Sequence, residues 1–188
     1  MKPKNLLIML VVLAALGAVA IIMNVRNNAP QTKIYIENFN PDDVSRIEMT
    51  KGKEETVLEK SGGVWQMVKP ASYKANQENV KDLLEKFKDF TVGAVISSNK
   101  EKHADFGLSE GAAARVKLIA VGKLLADAEF GNMASDGVNM FMKFPGKDDV
   151  YLAKGPARYQ LDRQVSDWRD RTILKLGKDE IEEVAIAK

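Results

Sequence analysis

Hydrophobic and polar positions along the chain fall into three patterns, and each predicts a different kind of element. The first is unbroken. Leu6 to Met23 is a run of 18 residues without a charge, apolar at every position except Gly17. As a helix at ~1.5 Å per residue it spans roughly 27 Å, close to the ~30 Å hydrocarbon core of a bilayer. Lys2 and Lys4 precede the run, and Arg26 and then Lys33 follow it. Together with the α-amino group this predicts an N-terminus in the cytoplasm and the remainder outside. Ala18-Val19-Ala20 has the small-x-small form of a signal-peptide cleavage site, so a cleaved leader is the alternative. Ile21-Ile22-Met23 carries the apolar stretch through that site and favours a retained anchor. Either reading places residues 31–188 outside the cytoplasm.

The second pattern is short alternation. Lys33 to Phe39 reads as a first strand, broken at Asn40-Pro41-Asp42. Val44, Ile47 and Met49 lead a second strand and Thr56-Val57-Leu58 a third, across the solvated tip Lys51-Gly52-Lys53-Glu54-Glu55. Val64 to Val68 is a fourth, after Ser61-Gly62-Gly63 and before Pro70. Thr91 to Ser97 is strand-like. Lys100 to Leu108 reads as a helical turn ended by Gly107. Arg115–Val121 and Leu124–Phe130 flank a Gly122-Lys123 hairpin, and Met140–Phe144 and Val150–Ala153 flank Pro145 to Asp148. Ile173, Leu174 and Leu176 precede a final strand over Glu182 to Ala187.

The third pattern is helical. Val80, Leu83, Leu84, Phe87 and Phe90 mark one face of a helix over Asn76 to Phe90, with charges on the other face and Asn76 as N-cap. Pro156 to Trp168 repeats the spacing with Tyr159, Leu161, Val165 and Trp168. The predicted class is α+β: an N-terminal transmembrane helix, then one antiparallel meander sheet with two packed helices. Residues 1–30 form the anchor and linker, and residues 31–188 the extracytoplasmic domain.

Charge sharpens this division. The net charge of +2 comes from the N-terminal flank, since residues 31–188 carry 25 bases against 26 acids. No basic footprint for nucleic acid is present. The chain has no cysteine, which excludes thiol nucleophiles, Cys-ligated metals and a lipid anchor on cysteine. His103 is the only histidine; a general base beside Asp105 is conceivable, and a surface residue in a charged turn is the favoured reading. Asp136-Gly137-Val138-Asn139 and Asp148-Asp149 lack the alternating oxygen ligands of a calcium loop and read as turns. Trp65, Met140 and Met142 are assigned to the core. Residues 42–51 and 179–188 share an acidic pair, apolar third, sixth and eighth positions and a tenth lysine, a partial repeat or a coincidence of strand edges.

Trp168-Arg169-Asp170-Arg171 is the densest polar constellation. One reading is an anion or partner contact through the guanidinium forks of Arg169 and Arg171. The favoured reading is a helix end tied to the sheet, with Trp168 buried and Asp170 pairing an arginine. No catalytic, metal or cofactor set is read from the sequence.

The order of features is similar to that of a bacterial family, domain of unknown function 4340. The resemblance rests on the uncharged run behind Lys2 and Lys4, Val64-Trp65-Gln66-Met67-Val68-Lys69-Pro70, Ala75-Asn76 opening the helix, Phe106-Gly107-Leu108, and Trp168-Arg169-Asp170-Arg171. Ser109-Glu110-Gly111 departs from the family, where a proline after Gly-Leu is more usual. The resemblance implies a single-pass extracytoplasmic protein, with some members associated with gliding-motility-type ABC transport systems, and it implies no catalytic residue. The leading expectation is therefore a membrane-anchored interaction module, tethered by Leu6 to Met23 and accessory to envelope transporter components. The alternative is a periplasmic ligand-binding protein or hydrolase using carboxylate and arginine chemistry. A pocket holding His103 or the Arg169 cluster with several acids would favour that alternative.

Overall fold

The structure is a computed structural model that describes residues 39–172 together with 16–17 and 34–35. Among these residues ten strands form one sheet in the order β1-β6-β10-β9-β8-β7-β2-β3-β4-β5, with antiparallel neighbours throughout. The strands are β1 (Ile34–Tyr35), β2 (Val44–Lys51), β3 (Glu54–Ser61), β4 (Val64–Lys69), β5 (Tyr73–Lys74), β6 (Thr91–Ser97), β7 (Ala114–Ala120), β8 (Lys123–Met133), β9 (Met140–Lys143) and β10 (Val150–Lys154). Two meanders, β2 to β5 and β7 to β10, meet where β2 pairs with β7. The α+β class and the single meander sheet follow the sequence pattern. No helix among the described residues is long and apolar enough to cross a membrane. The Leu6–Met23 run lies outside them except for Leu16 and Gly17, as do the final strand over 182–187 and the second half of the partial repeat.

Helix α1 (Gln77–Lys88) forms as its spacing predicts. The Asn76 side chain accepts from the backbone N–H groups of Glu78 and Asn79, both at 3.1 Å, satisfying two of the donors that a helix start leaves open. Val80, Leu83, Leu84 and Phe87 are buried against the sheet. Each such side chain contributes about 1.5–3 kcal/mol when taken from water. Phe87 lies 6.3 Å from Phe39, 5.6 Å from Phe90 and 6.3 Å from Phe130, ring centre to ring centre. Trp65, Met140 and Met142 are buried, as assigned.

Opposite charges pair along and across adjacent strands on the partly exposed side of the sheet. Arg46 bonds Glu48 at 2.8 Å and also pairs with Glu59, Lys117 reaches Glu48 at 3.3 Å, and Glu129 pairs with Lys143. Arg115 grips Asp127 with two bonds of 2.7 Å. Exposed pairs of this kind add little stability each, but they match register across strands.

Two expectations are corrected, and one strand is unforeseen. Pro156 to Trp168 is not one helix: it holds a four-residue helix α2 (Arg158–Leu161) and a separate 3-10 turn over Val165–Trp168. Gln160 and Arg163 bond to α1, Arg158 to the Gly131 carbonyl and Asp162 to Lys51, and these bonds replace a continuous helical ladder between the two pieces. The edge strand β5 was not foreseen, because two residues carry no period; it pairs Gln66 with Lys74 and Met67 with Tyr73. His103 is not a surface residue. It is 8% exposed, and its Nε2 meets the backbone oxygen of Asp148 at 2.8 Å.

Candidate functional site

Trp168, Arg169, Asp170 and Arg171 form a corner where the segment after α2 meets the start of α1 and the edge strand β5. Trp168 is buried, and its carbonyl accepts from the Asn76 N–H at 2.8 Å. Arg169 makes a bridge to Ala75, and the Asp170 N–H donates to the Lys74 carbonyl at 2.8 Å. The Asp170 carboxylate accepts from the Thr172 N–H at 3.0 Å and pairs with Lys74 Nζ at 3.0 Å. Those Thr172 and Lys74 contacts hold the carboxyl well below the usual range. The expected partner of Asp170 was an arginine; a lysine on β5 takes that role. Arg171 turns back to Asp167 at 2.6 Å and to the Ser166 carbonyl at 3.0 Å.

Arg169 does something different from its neighbour. Its guanidinium lies 3.8 Å from the ring centre of Tyr73, a cation–π stack on the edge strand. Among the described residues it makes no ion pair, and Tyr73 is 43% exposed. A groove of about 290 Å³ is lined by Asn76, Asn79, Tyr159, Arg163, Arg169 and Arg171, with Asp167 as its one carboxylate. Arg169 and Arg171 are thus brought together, as the sequence suggested, and joined by Arg163, which it did not suggest. Arg163 donates to the Asn79 carbonyl at 3.1 Å and to Asp82 at 2.9 Å, with its guanidinium 5.2 Å from the Trp168 ring centre. Nothing local in the sequence marks that role, since both partners lie on α1.

The other motif residues are structural. Trp65 is 6% exposed, and its backbone N–H and carbonyl are both bound by the Gln77 side chain at 2.9 Å. The Trp65 step and the opening of α1 are therefore one device. In Phe106-Gly107-Leu108, Gly107 takes φ +69°, a conformation that favours glycine. The Phe106 carbonyl accepts from the Asn132 N–H at 2.8 Å, and a Cβ at Gly131 would lie 2.1 Å from that carbonyl oxygen. Phe106 packs on Phe141 at 4.8 Å, and Leu108 is buried. The step clamps the loop over 98–113 onto β8 and β9.

Two further concavities flank the β2–β3 turn. One, of about 450 Å³, has Met49, Val116, Leu161 and Trp168 in its lining; Lys51, also in that lining, bonds Asp162 at 2.5 Å. The other, of about 540 Å³, lies under the 98–113 loop and contains His103, Glu101, Glu110 and the Glu129–Lys143 pair. Among the described residues no group of three or more His, Cys, Asp or Glu is placed to hold a metal. Asp136 accepts from the N–H groups of Val138 and Asn139 at 2.9 Å and from the Asn139 side chain at 2.7 Å, which makes it the turn that was expected.

Fold and corner together define an extended antiparallel α+β domain with an assembled arginine surface at one edge. The model of the family named Domain of unknown function (DUF4340) matches residues 65–188, and the chain belongs to that family. The match begins at Trp65, yet β2 and β3 precede it and sit inside the sheet. No curated protein and no solved structure matches the chain.

Proposed function

We propose that this chain is a single-pass, membrane-anchored interaction module, tethered by Leu6–Met23 with residues 31–188 outside the cytoplasm, and accessory to an envelope ABC-type transport system. The observation that carries the interaction role is the Tyr73–Arg169 stack. Arginine and tyrosine are the residue types that dominate binding energy at protein interfaces, above all when held rigid before the partner arrives. Here Trp168 and Asp170 fix the backbone on both sides of Arg169, and β5 fixes Tyr73. The guanidinium, lacking a carboxylate of its own among the described residues, suits a partner that presents one.

The test is photo-crosslinking in the native host with the full-length protein in its membrane. A benzophenone amino acid placed at Tyr159, on the rim of the groove, captures an envelope component, and Arg169→Ala abolishes the capture. The same probe at Val121, which is 91% exposed at the tip of the β7–β8 hairpin, captures nothing comparable. Equal capture at both positions, or none at Tyr159, sinks the reading. The tether is tested separately: the full chain resists alkaline extraction, and protease digests residues 31–188 from the outside of intact spheroplasts.

A further inference from the structure

Beyond the arginine corner, we propose that the cavity between the sheet and the segment after α2 binds a small monocarboxylate with an apolar body. Its floor is the outer end of the sheet's core face. Met49 stands opposite Thr56 on β3 and Val116 on β7, and the next row inward, Ile47 with Leu58 and Leu118, is fully buried. Over the Met49 row the cover is incomplete. Leu161 and Trp168 close one side of a cavity of about 450 Å³, within the size range of small-molecule sites. Thr56 is the polar member of that floor. It is 7% exposed, the strand register puts its side chain on the face of Met49 and Val116, and it lines the cavity. A threonine side chain has a single polar atom, and this hydroxyl makes no hydrogen bond among the described residues. No wholly buried side-chain nitrogen or oxygen among them lacks a partner. The hydroxyl therefore opens on the cavity and takes its partner from what fills it.

Charge at the mouth sets the sign of the ligand. Lys51 and Arg158 share the one carboxylate of Asp162, at 2.5 and 2.6 Å, so the trio keeps one positive charge. Arg115 and Arg163 in the lining are neutralised by Asp127 and Asp82, and Lys53 is balanced by Glu54 beside it. Lys51 faces Glu54, two residues before Thr56, so Lys51 and Thr56 are diagonal neighbours on one face, about 7–8 Å apart and within reach of one ligand group. A carboxylate set between them accepts from the Thr56 hydroxyl and the Lys51 ammonium, while its apolar body covers Met49, Val116 and Trp168. An amine would meet the ammonium instead.

The test uses the full chain in a detergent micelle with Trp65→Phe, which leaves Trp168 in the cavity wall as the single tryptophan. Titration with 3-phenylpropionate at neutral pH is expected to change Trp168 emission saturably. The amide and the amine with the same phenylpropyl body are expected to bind at least tenfold more weakly. Thr56→Val, which keeps shape and removes the hydroxyl, is expected to weaken 3-phenylpropionate roughly tenfold, and Thr56→Ser to bind it as the parent does. In urea without ligand, Thr56→Val is expected to unfold at the parent's midpoint or above, since an unpartnered hydroxyl on the core face lends no stability. No saturable change with 3-phenylpropionate, an equal response to the amide or the amine, or undiminished binding in Thr56→Val each overturns the proposal. So does a lowered midpoint in Thr56→Val, which would mean that the hydroxyl already has its partner within the fold.

Discussion

Helix α1 and the segment from Pro156 to Trp168 carry the same apolar spacing and fold differently. In α1 all twelve residues are helical, Glu78, Lys81, Lys86 and Lys88 look to water while Asn79 and Asp82 meet the later segment, and its cap comes from the adjacent Asn76. In the later segment only four residues make an α-helix. Its polar positions are bound elsewhere: Gln160 donates to the Asp82 carbonyl and carboxylate at 3.2 and 2.8 Å, and Arg163 reaches Asn79 and Asp82. Asn79 answers with a 2.7 Å bond to the Asp167 carbonyl. Helical spacing predicts a helix where the polar positions need only solvent. Where the central polar positions, here Gln160 and Arg163, are held by partners about eighty residues away, the backbone breaks into short pieces that follow them.

The largest effects come from each segment's aromatic anchor. Phe87→Ala and Trp168→Ala are each expected to cost about 3–5 kcal/mol in urea unfolding, as large core truncations do. They differ in hydrogen exchange. Phe87→Ala lowers protection across α1 and the sheet, while Trp168→Ala exposes amides of 157–170 and leaves those of α1 protected. Uniform loss of protection in Trp168→Ala would mean that the two segments are one unit after all.

Gln160→Leu sharpens the comparison because the two accounts give opposite signs. If spacing and propensity governed the segment, leucine, a better apolar filler and helix former, would be neutral or stabilising. Gln160 is fully buried, however, and its side-chain oxygen also accepts from the Ala157 N–H at 2.7 Å. Leucine leaves that donor without its partner and removes the bonds to the Asp82 carbonyl and carboxylate, for an expected loss of about 1–3 kcal/mol. Urea midpoints decide the sign.

The same reasoning separates what the sequence could show from what it could not. The long strands and α1 were legible because period and turn residues act within a few positions. Gly107 could be read as a stop for the same reason. β5 was illegible, since two residues held by Gln66 and Met67 carry no period. At the corner, Arg169 and Arg171 were visible as a cluster, whereas Arg163 was not, because its role exists only once α1 lies beside it. His103 was misplaced on the surface by its charged neighbours; the Asp148 carbonyl that anchors it lies 45 residues on.

Capping gives a smaller contrast. Asn76→Ala removes the acceptor for two N–H groups and is expected to cost about 1 kcal/mol. At the start of α2, Ala157 has no side-chain cap, and its backbone N–H is already bound by Gln160. Ala157→Asp should therefore change stability by less than about 0.5 kcal/mol, although a true helix start would gain from it. Thermal unfolding of the two variants side by side checks both.

The smallest expected effect is acid sensitivity, and three of the lowered carboxyls, Asp82, Asp162 and Asp170, touch the later segment or its end. Burial pushes the Asp82 carboxyl up, but hydrogen bonds from Gln160 and Arg163 outweigh it and leave it lowered. Burial likewise opposes the bonds from Lys51 and Arg158 that lower Asp162, and Asp170 is lowered by Thr172 and Lys74. A carboxyl lowered on folding lends stability that is complete above its unfolded value, about 3.9, and is lost as pH falls through the folded value. Solvent screening keeps the Asp82 and Asp162 contributions below about 1 kcal/mol each. In a Trp65→Phe background, Trp168 fluorescence is expected to shift below about pH 4, while the helical circular dichroism of α1 persists. Asp82→Asn should make that fluorescence change shallower. If it instead abolishes the α1 signal at neutral pH, the partnership runs the other way, and the later segment is what holds α1 in its helical form.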